Sequence, residues 1–252
     1  MMNIGLVLSG GGIRGVAHIG VIKALEEYNL FPNYISGTSA GAIVGALYAG
    51  GISWSEILDF FKVIPIFHAQ RFARRKPGFL DTEKFYGEFK KFFPQDNFKA
   101  LPKSLFITAT DIIKGKLVIF EEGQLIKPVL ASATFPGVFS PIYINGSYYI
   151  DGGVLNNFPV EPLKSTCDKI IGSYVNALKP VEIQDLKHSY NVLDRAYKIK
   201  SAAESLAKFA DCEFVISPNE LCKFATFDMR NIDSIFEIGY NSAIQNLKEK
   251  GY

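Results

Sequence analysis

Ser39 lies at the centre of Gly37-Thr38-Ser39-Ala40-Gly41, a Gly-x-Ser-x-Gly pentapeptide between a short apolar run and a stretch of small residues at helical spacing. That context fits a nucleophile elbow, in which a sharp, strained strand-to-helix turn presents a serine hydroxyl and tolerates only small neighbours. The helix that follows directs the positive end of its dipole at the serine and favours negative charge developing there. A second candidate group is Asp151 in Tyr148-Tyr149-Ile150-Asp151-Gly152-Gly153. A carboxylate that ends an apolar hairpin strand and precedes two glycines is positioned to enter a site. Asp-Gly is equally a common turn pair, so spacing alone leaves both readings open.

A third motif, Leu6-Val7-Leu8-Ser9-Gly10-Gly11-Gly12-Ile13-Arg14-Gly15, satisfies the dinucleotide fingerprint at Gly10, Gly12 and Gly15. A dinucleotide site also needs an acidic residue about 20 positions on, at the end of the second strand, to hold ribose hydroxyls. No Asp or Glu occurs between Glu27 and Glu56, and no Gly-Lys-Ser/Thr follows the glycines. The position where the acid belongs is occupied by the Ser39 pentapeptide. Beside a nucleophile, a run of glycines has another use: backbone N–H groups unscreened by side chains can hold a carbonyl oxygen as it becomes negative. Arg14 could add charge there, hold a substrate phosphate, or form a structural ion pair.

A serine nucleophile needs a proton acceptor. The chain has three histidines, His18, His68 and His188. His188 loosely fits the order Ser…Asp/Glu…His of an α/β-hydrolase triad, but its polar surroundings equally suit a solvated helix start. Asp151 is the better candidate.

The pattern of elements must bring these groups together. Apolar runs at 3–8, 34–36, 104–112, 116–123, 169–177 and 212–217 read as strands. Helical spacing predicts helices over 16–29, from the elbow to Gly50-Gly51, after a Ser53/Glu56 capping box, from Asp81 through Phe93, and over 125–133, 189–210 and 231–249. Residues 141–153 read as a hairpin turning at Asn145-Gly146. Strands alternating with helices predict an α/β fold, a three-layer α/β/α sandwich with a mostly parallel central sheet. The expected organisation is one domain over 1–252, with a catalytic core at 4–165 completed by 166–252, where no motif stands out.

The three motifs GGGIRG, GTSAG and DGG, in this order, resemble the patatin-like phospholipases. LASATFPGVFSP (130–141) and DGGVLNNFPV also resemble that family's segments before and after its aspartate, so the likeness covers about 4–165. The resemblance implies a lipid acyl hydrolase with a Ser–Asp dyad: Ser39 as nucleophile and Asp151 as base. Gly10, Gly11, Gly12 and Arg14 would form the oxyanion side, with a contribution from the Ala40 N–H. Gly15, Gly37, Gly41, Gly152 and Gly153 complete the motifs, and His18 becomes a structural helix residue. The implied substrate is a phospholipid or other fatty-acyl ester. An acyltransferase using the same dyad, a peptidase and a non-catalytic lipid-binding protein remain open beside it.

Composition narrows the partners. The chain of 252 residues carries 27 Lys+Arg against 25 Asp+Glu, a balance that gives no reason to expect nucleic acid. Three cysteines without C-x-x-C spacing suggest neither a disulfide framework nor a zinc site, so no metal or cofactor is expected and a reducing, cytoplasmic setting is. The apolar start lacks a basic leading region and reads as strand and helix rather than a signal peptide. The 21 Phe and 12 Tyr read first as core, and secondarily as the lining of an apolar channel. The segment 62–80, with Phe67, Phe72, Phe79, Arg71, Arg74, Arg75 and Lys76, is either a lid that touches a membrane peripherally or a solvated basic loop.

Overall fold

A computed structural model of the protein describes residues 2–63, 85–226 and 229–252. The expected lid segment therefore lies outside the described residues from 64 onward, as does the Asp81 helix start.

The first strand, β1 (Ile4–Leu8), is buried along its whole length. Its alternating side chains enter two different cores: Leu6 and Leu8 join one cluster and Val7 another. A strand buried on both faces is what a layered α/β sheet requires. The remaining strands are β2 (Tyr34–Gly37), β3 (Ser104–Asp111), β4 (Lys116–Phe120), β5 (Ile142–Ile144), β6 (Ser147–Asp151), β7 (Lys169–Ser173) and β8 (Phe214–Ile216). They run in the order β5-β6-β3-β2-β1-β7-β8, with β4 also on β3. The pairs β3–β2, β2–β1, β1–β7 and β7–β8 are parallel. The β4, β5 and β6 pairings are antiparallel.

Helices α1 (Val16–Glu27), α2 (Ala40–Ala49), α3 (Trp54–Val63), α4 (Tyr86–Phe92), α5 (Ile126–Ser132) and α7 (Ile232–Glu249) contribute to the larger core. The smaller core, around Val7, Phe158, Leu163 and Tyr174, is covered by the chain after β6 and by Phe209. Just past the end of α6 (Ser189–Leu206), Lys208 donates to Asn156 Oδ1 at 2.7 Å.

The expected elements are present with shorter ends. β4 stops at Phe120, β7 at Ser173 and α6 at Leu206. The sequence periodicity runs on because apolar residues continue into packed loops: Tyr174 and Val175 are buried past the end of β7. The Ser53/Glu56 box is formed, each backbone N–H bonding the other side chain. Asn145 and Gly146 both have positive φ, as a two-residue hairpin turn requires.

The register on β3 does most to position the site. Ile107 pairs with Gly37 of β2 on one edge and with Phe120 of β4 on the other. Ala109 pairs with Val118 of β4 and with Asp151 of β6. Since β4 holds one edge from Ile107 to Asp111, β2 and β6 share the other, end to end and approaching from opposite directions. The strand carrying the serine elbow and the strand ending in the aspartate thus terminate two residues apart along β3.

Candidate active site

The elbow begins at the end of β2. Thr38 Oγ1 bonds Thr108 Oγ1 of β3 at 2.6 Å and donates to the Asn156 carbonyl at 2.9 Å. Ser39 has φ 55° and ψ −121°, a conformation that side chains disfavour and that strained functional turns retain. Its backbone N–H donates to Ser132 Oγ at 2.8 Å. Gly41 must be glycine, because a Cβ there would collide with the carbonyl oxygens of Leu8 and Ser9. α2 therefore packs directly against the end of β1.

Asp151 is held from both sides. Its N–H donates to the Thr134 carbonyl at 3.0 Å, and its carbonyl accepts from Thr110 Oγ1 at 3.0 Å. Oδ1 accepts from the Gly153 N–H at 2.7 Å. Ser132 and Thr134 belong to one segment, which explains its presence in the pattern: it ties down the elbow and the aspartate together. Burial pushes the Asp151 carboxyl up to about 6, against hydrogen bonds from the Ser39 side chain and the Gly153 N–H that pull it down. The Ser39 hydroxyl and the Asp151 carboxylate are thus in hydrogen-bonding reach of each other.

Both groups line one cavity of about 80 Å³, together with Gly11, Gly12, Arg14, Asn157, Asn176, Tyr197 and Thr226. The glycine loop is backbone-built. The Gly10 N–H is donated to the Asn157 carbonyl at 3.2 Å, which removes it from the set of expected oxyanion donors. No described residue accepts from the N–H groups of Gly11, Gly12 or Ala40. Gly12 has φ 60° and lies against the Thr226 carbonyl, so a side chain there would be strained and obstructed. Arg14 lines the cavity but also braces the loop: Nε donates to the Gly11 carbonyl at 3.2 Å and Nη2 to Asn176 Oδ1 at 2.6 Å. Asn176 in turn donates to the Gly10 carbonyl.

The histidines stand elsewhere. His18 is fully buried in α1, with Nδ1 on Ser173 Oγ at 2.7 Å and Nε2 on the Ser9 carbonyl at 2.8 Å. Burial holds its ring down to about 4, so it stays neutral and joins β1 to β7, as a structural helix residue would. His188 is exposed at the N-cap of α6 and does not line the cavity. His68 lies outside the described residues.

Sequence reasoning missed the rest of the cavity lining: Asn176 and Thr226, which lie against the glycine loop, Ala177 and Leu178 after β7, and Tyr197, Lys198 and Ser201 of α6. Tyr197 stacks edge-on against Phe135, and its hydroxyl lies close to Gly153. The spacing of residues 197 and 201 on one helical face was the available signal, but it does not separate a cavity wall from an ordinary packed face.

A family model described as patatin-like phospholipase matches residues 6–164. The lysophospholipase NTE1 of Meyerozyma guilliermondii is 30% identical over 94% of this chain, which spans 19% of that relative. An uncharacterised NTE family protein of Mycobacterium tuberculosis is 33% identical over 64% of this chain and 45% of its own length. The chain thus spans about a fifth of the length of the lysophospholipase it matches. Among solved structures, VipD from Legionella pneumophila superposes with a TM-score of 0.58 at 16% identity, over 99% of this chain and 67% of that one. ExoU, in complex with SpcU from the type III secretion system of Pseudomonas aeruginosa, gives 0.51 at 16% identity, over 99% and 52%. These likenesses establish the fold.

Proposed function

The chain belongs to the patatin-like phospholipase family, and from that premise we propose that it is a serine hydrolase of fatty-acyl esters acting through Ser39 and Asp151. The observation that carries the reading is the pairing of a strained serine with a buried carboxylate in one cavity that none of the described histidines lines.

In this mechanism Ser39 Oγ attacks the ester carbonyl as Asp151 takes its proton. The N–H groups of Gly11 and Gly12, joined by that of Ala40, hold the oxyanion. Asp151 returns the proton to the departing alcohol, leaving an acyl-enzyme. Water, deprotonated by Asp151, then releases the fatty acid and restores Ser39. A solvated carboxylate is a weak base. One raised to about 6 is mostly ionised at neutral pH and accepts a proton more readily. Residues 4–165 supply the reaction and 166–252 close the same domain around it. Among the described residues no helix is long and apolar enough to cross a membrane. Peripheral contact is the route to lipid in this reading.

The test is hydrolysis of p-nitrophenyl esters of graded acyl length. Ser39→Ala and Asp151→Asn are expected to lose at least ~10³-fold in kcat/KM, with His188→Ala at the wild-type rate. Loss in His188→Ala equal to that in Ser39→Ala would overturn the dyad.

A further inference from the structure

Three glycines in a row leave the loop after β1 with little conformational preference of its own. Gly10, Gly11 and Gly12 carry no Cβ, so the peptide planes between them can turn over at small steric cost. A plane that turns over exchanges the directions of its C=O and its N–H, because in a trans peptide the two point opposite ways. Among the described residues no peptide bond is cis. An N–H that is to meet a developing oxyanion must therefore be held by something that grips the carbonyl of the same plane.

Two side chains do this. The Gly10 carbonyl accepts from Asn176 Nδ2, which fixes the plane that carries the Gly11 N–H. The Gly11 carbonyl accepts from Arg14 Nε at 3.2 Å, which fixes the plane that carries the Gly12 N–H. The two grips are linked, since Arg14 Nη2 donates to Asn176 Oδ1 at 2.6 Å. Asn176 thus donates with one end of its amide and accepts with the other, a combination that neither a carboxylate nor an ammonium group supplies. Its place is set by the sheet. β7 runs parallel beside β1, so the chains that leave the two strands meet beyond them. There the Val175 N–H donates to Ser9 Oγ at 3.0 Å, and a Cβ on Gly11 would strike the Val175 side chain. Gly11 and Gly12 both line the Ser39 cavity, and no described residue accepts from the N–H of either.

We propose that Asn176 is the positioning residue of the oxyanion site: its amide holds the Gly10–Gly11 plane with the N–H turned toward the ester carbonyl on Ser39, and ties that plane to Arg14, which holds the next one. The assignment rests on the acyl-hydrolase reading of Ser39. Asn176 itself touches no reacting atom. The linked bonds also polarise one another. The charge on Arg14 draws electron density through the Asn176 amide and through the Gly11 carbonyl, which makes both N–H groups stronger donors. Arg14 then acts on the oxyanion through the peptides of the loop. Asn176 lies beyond residue 164, outside the segment that the family model matches, so its role follows from this chain's own geometry.

The experiment measures kcat and KM for p-nitrophenyl butyrate and the inhibition constant of an alkyl trifluoromethyl ketone, whose adduct with the serine carries the oxyanion. It uses the wild type, Asn176→Ala, Asn176→Asp, Arg14→Gln and the double variant Arg14→Gln/Asn176→Ala, with Tm recorded for each. Outright removal of one oxyanion donor costs ~10²–10³-fold in kcat; Asn176→Ala releases a donor without removing it, and is expected to lose about 30- to 100-fold, with KM within about threefold. The ketone is expected to bind more weakly by the same factor as kcat falls. Asn176→Asp keeps the shape and pairs with Arg14, but leaves the Gly10 carbonyl without its donor. It is expected to melt no lower than the wild type and to lose kcat and ketone affinity as Asn176→Ala does, and it carries the test alone if Asn176→Ala does not fold. The pH inflection near about 6 is expected to stay in place in both. Because the two side chains act as one brace, the double variant is expected to lose no more than about threefold beyond the less active single variant. Wild-type kcat and ketone affinity in Asn176→Asp overturn the inference. So does a raised KM at unchanged kcat, which would make Asn176 a substrate-binding wall, and so does a displaced inflection, which would make it act on Asp151. Losses that track a fall in Tm reduce Asn176 to a structural residue, and losses that multiply in the double variant refute the link to Arg14. All of these leave the hydrolase reading intact. A wild type that neither cleaves the ester nor binds the ketone brings down both.

Discussion

The two sides of the Ser39 cavity are built from different materials. On one side the glycine loop, the elbow and the Asp151 turn are nearly all backbone, buried, and joined through Thr38, Thr108, Ser132 and Thr134. On the other side stand the side chains of α6 and of Ala177 and Leu178, half-buried or exposed and rich in cations. The first side fixes where charge can develop, to within what a strained turn and several short hydrogen bonds allow. In the proposed reaction the second would meet whatever is attached to the reacting ester. Rigid backbone on one side and replaceable side chains on the other permit selectivity to change without disturbing the chemistry.

The division is most sharply tested at Ser39 itself. Ser39→Gly removes the nucleophile, so a loss of at least ~10³-fold in activity is expected. It also relieves a positive-φ strain of ~1–3 kcal/mol at an entropic cost of ~0.5–1 kcal/mol. The variant should therefore melt a few degrees higher than the wild type in thermal unfolding. A variant that is both inactive and less stable would mean that the elbow is not strained, and that the backbone side stores nothing.

The next largest effect is on stability. Gly41→Ala drives a methyl group into the Leu8 and Ser9 carbonyls, and overpacking of this kind costs ~1–3 kcal/mol or more. For a chain of this size that is a fall of several degrees in Tm, with activity lost in proportion to the displacement of Ser39. A substitution at exposed Lys223 should leave Tm within experimental error. Equal shifts at both positions would erase the distinction between the two sides.

These differences also explain what could be read from the sequence. Gly10 to Gly12, the Ser39 pentapeptide and Asp151-Gly152-Gly153 were legible because their backbones tolerate few other residues. The expected strands and helices followed from periodicity, with ends misplaced where Tyr174 and Val175 continue an apolar run past β7. The meeting of β2 and β6 on one edge of β3 was not legible, since it needs two separate registers, one pairing Gly37 with Ile107 and one pairing Ala109 with Asp151, each joining residues distant in sequence. Nor was the Arg14–Asn176 brace, because a lone asparagine has many uses. The wall of α6 was hidden for the same reason: Lys, Arg and Tyr at helical spacing look alike on a solvated face and around a cavity.

A pH dependence tests whether Asp151 belongs to the backbone side electrostatically as well as geometrically. If Asp151 is the base, kcat/KM should rise with pH through an inflection near about 6. Stability should move the other way. Burial raises the carboxyl in the folded state above its unfolded value of 3.8, so the folded protein holds the extra proton between about pH 4 and about pH 6. This contribution is present at the acid end of that window and is lost as pH rises through the folded value. Asp151→Asn lacks it, so its stability relative to the wild type should grow from about pH 4 to about pH 7 and then level off, as urea titrations would reveal. An inflection near the ordinary carboxyl value would make Asp151 a solvated turn residue.

The smallest predicted effect lies on the boundary between the sides. Tyr197 belongs to α6, yet its hydroxyl lies near Gly153, and both burial and the Asp151 charge drive its ionisation upward. Both effects favour the neutral phenol. Asp151 takes its hydrogen bonds from Ser39 and Gly153 rather than from this hydroxyl. Tyr197→Phe keeps the ring against Phe135 and removes only the oxygen. A loss of no more than ~5-fold in kcat/KM is expected, about what one neutral hydrogen bond of ~1 kcal/mol provides, with the inflection near 6 unmoved. A fall of a hundredfold together with a displaced inflection would transfer Tyr197 to the reacting side. The boundary would then run through α6 rather than in front of it.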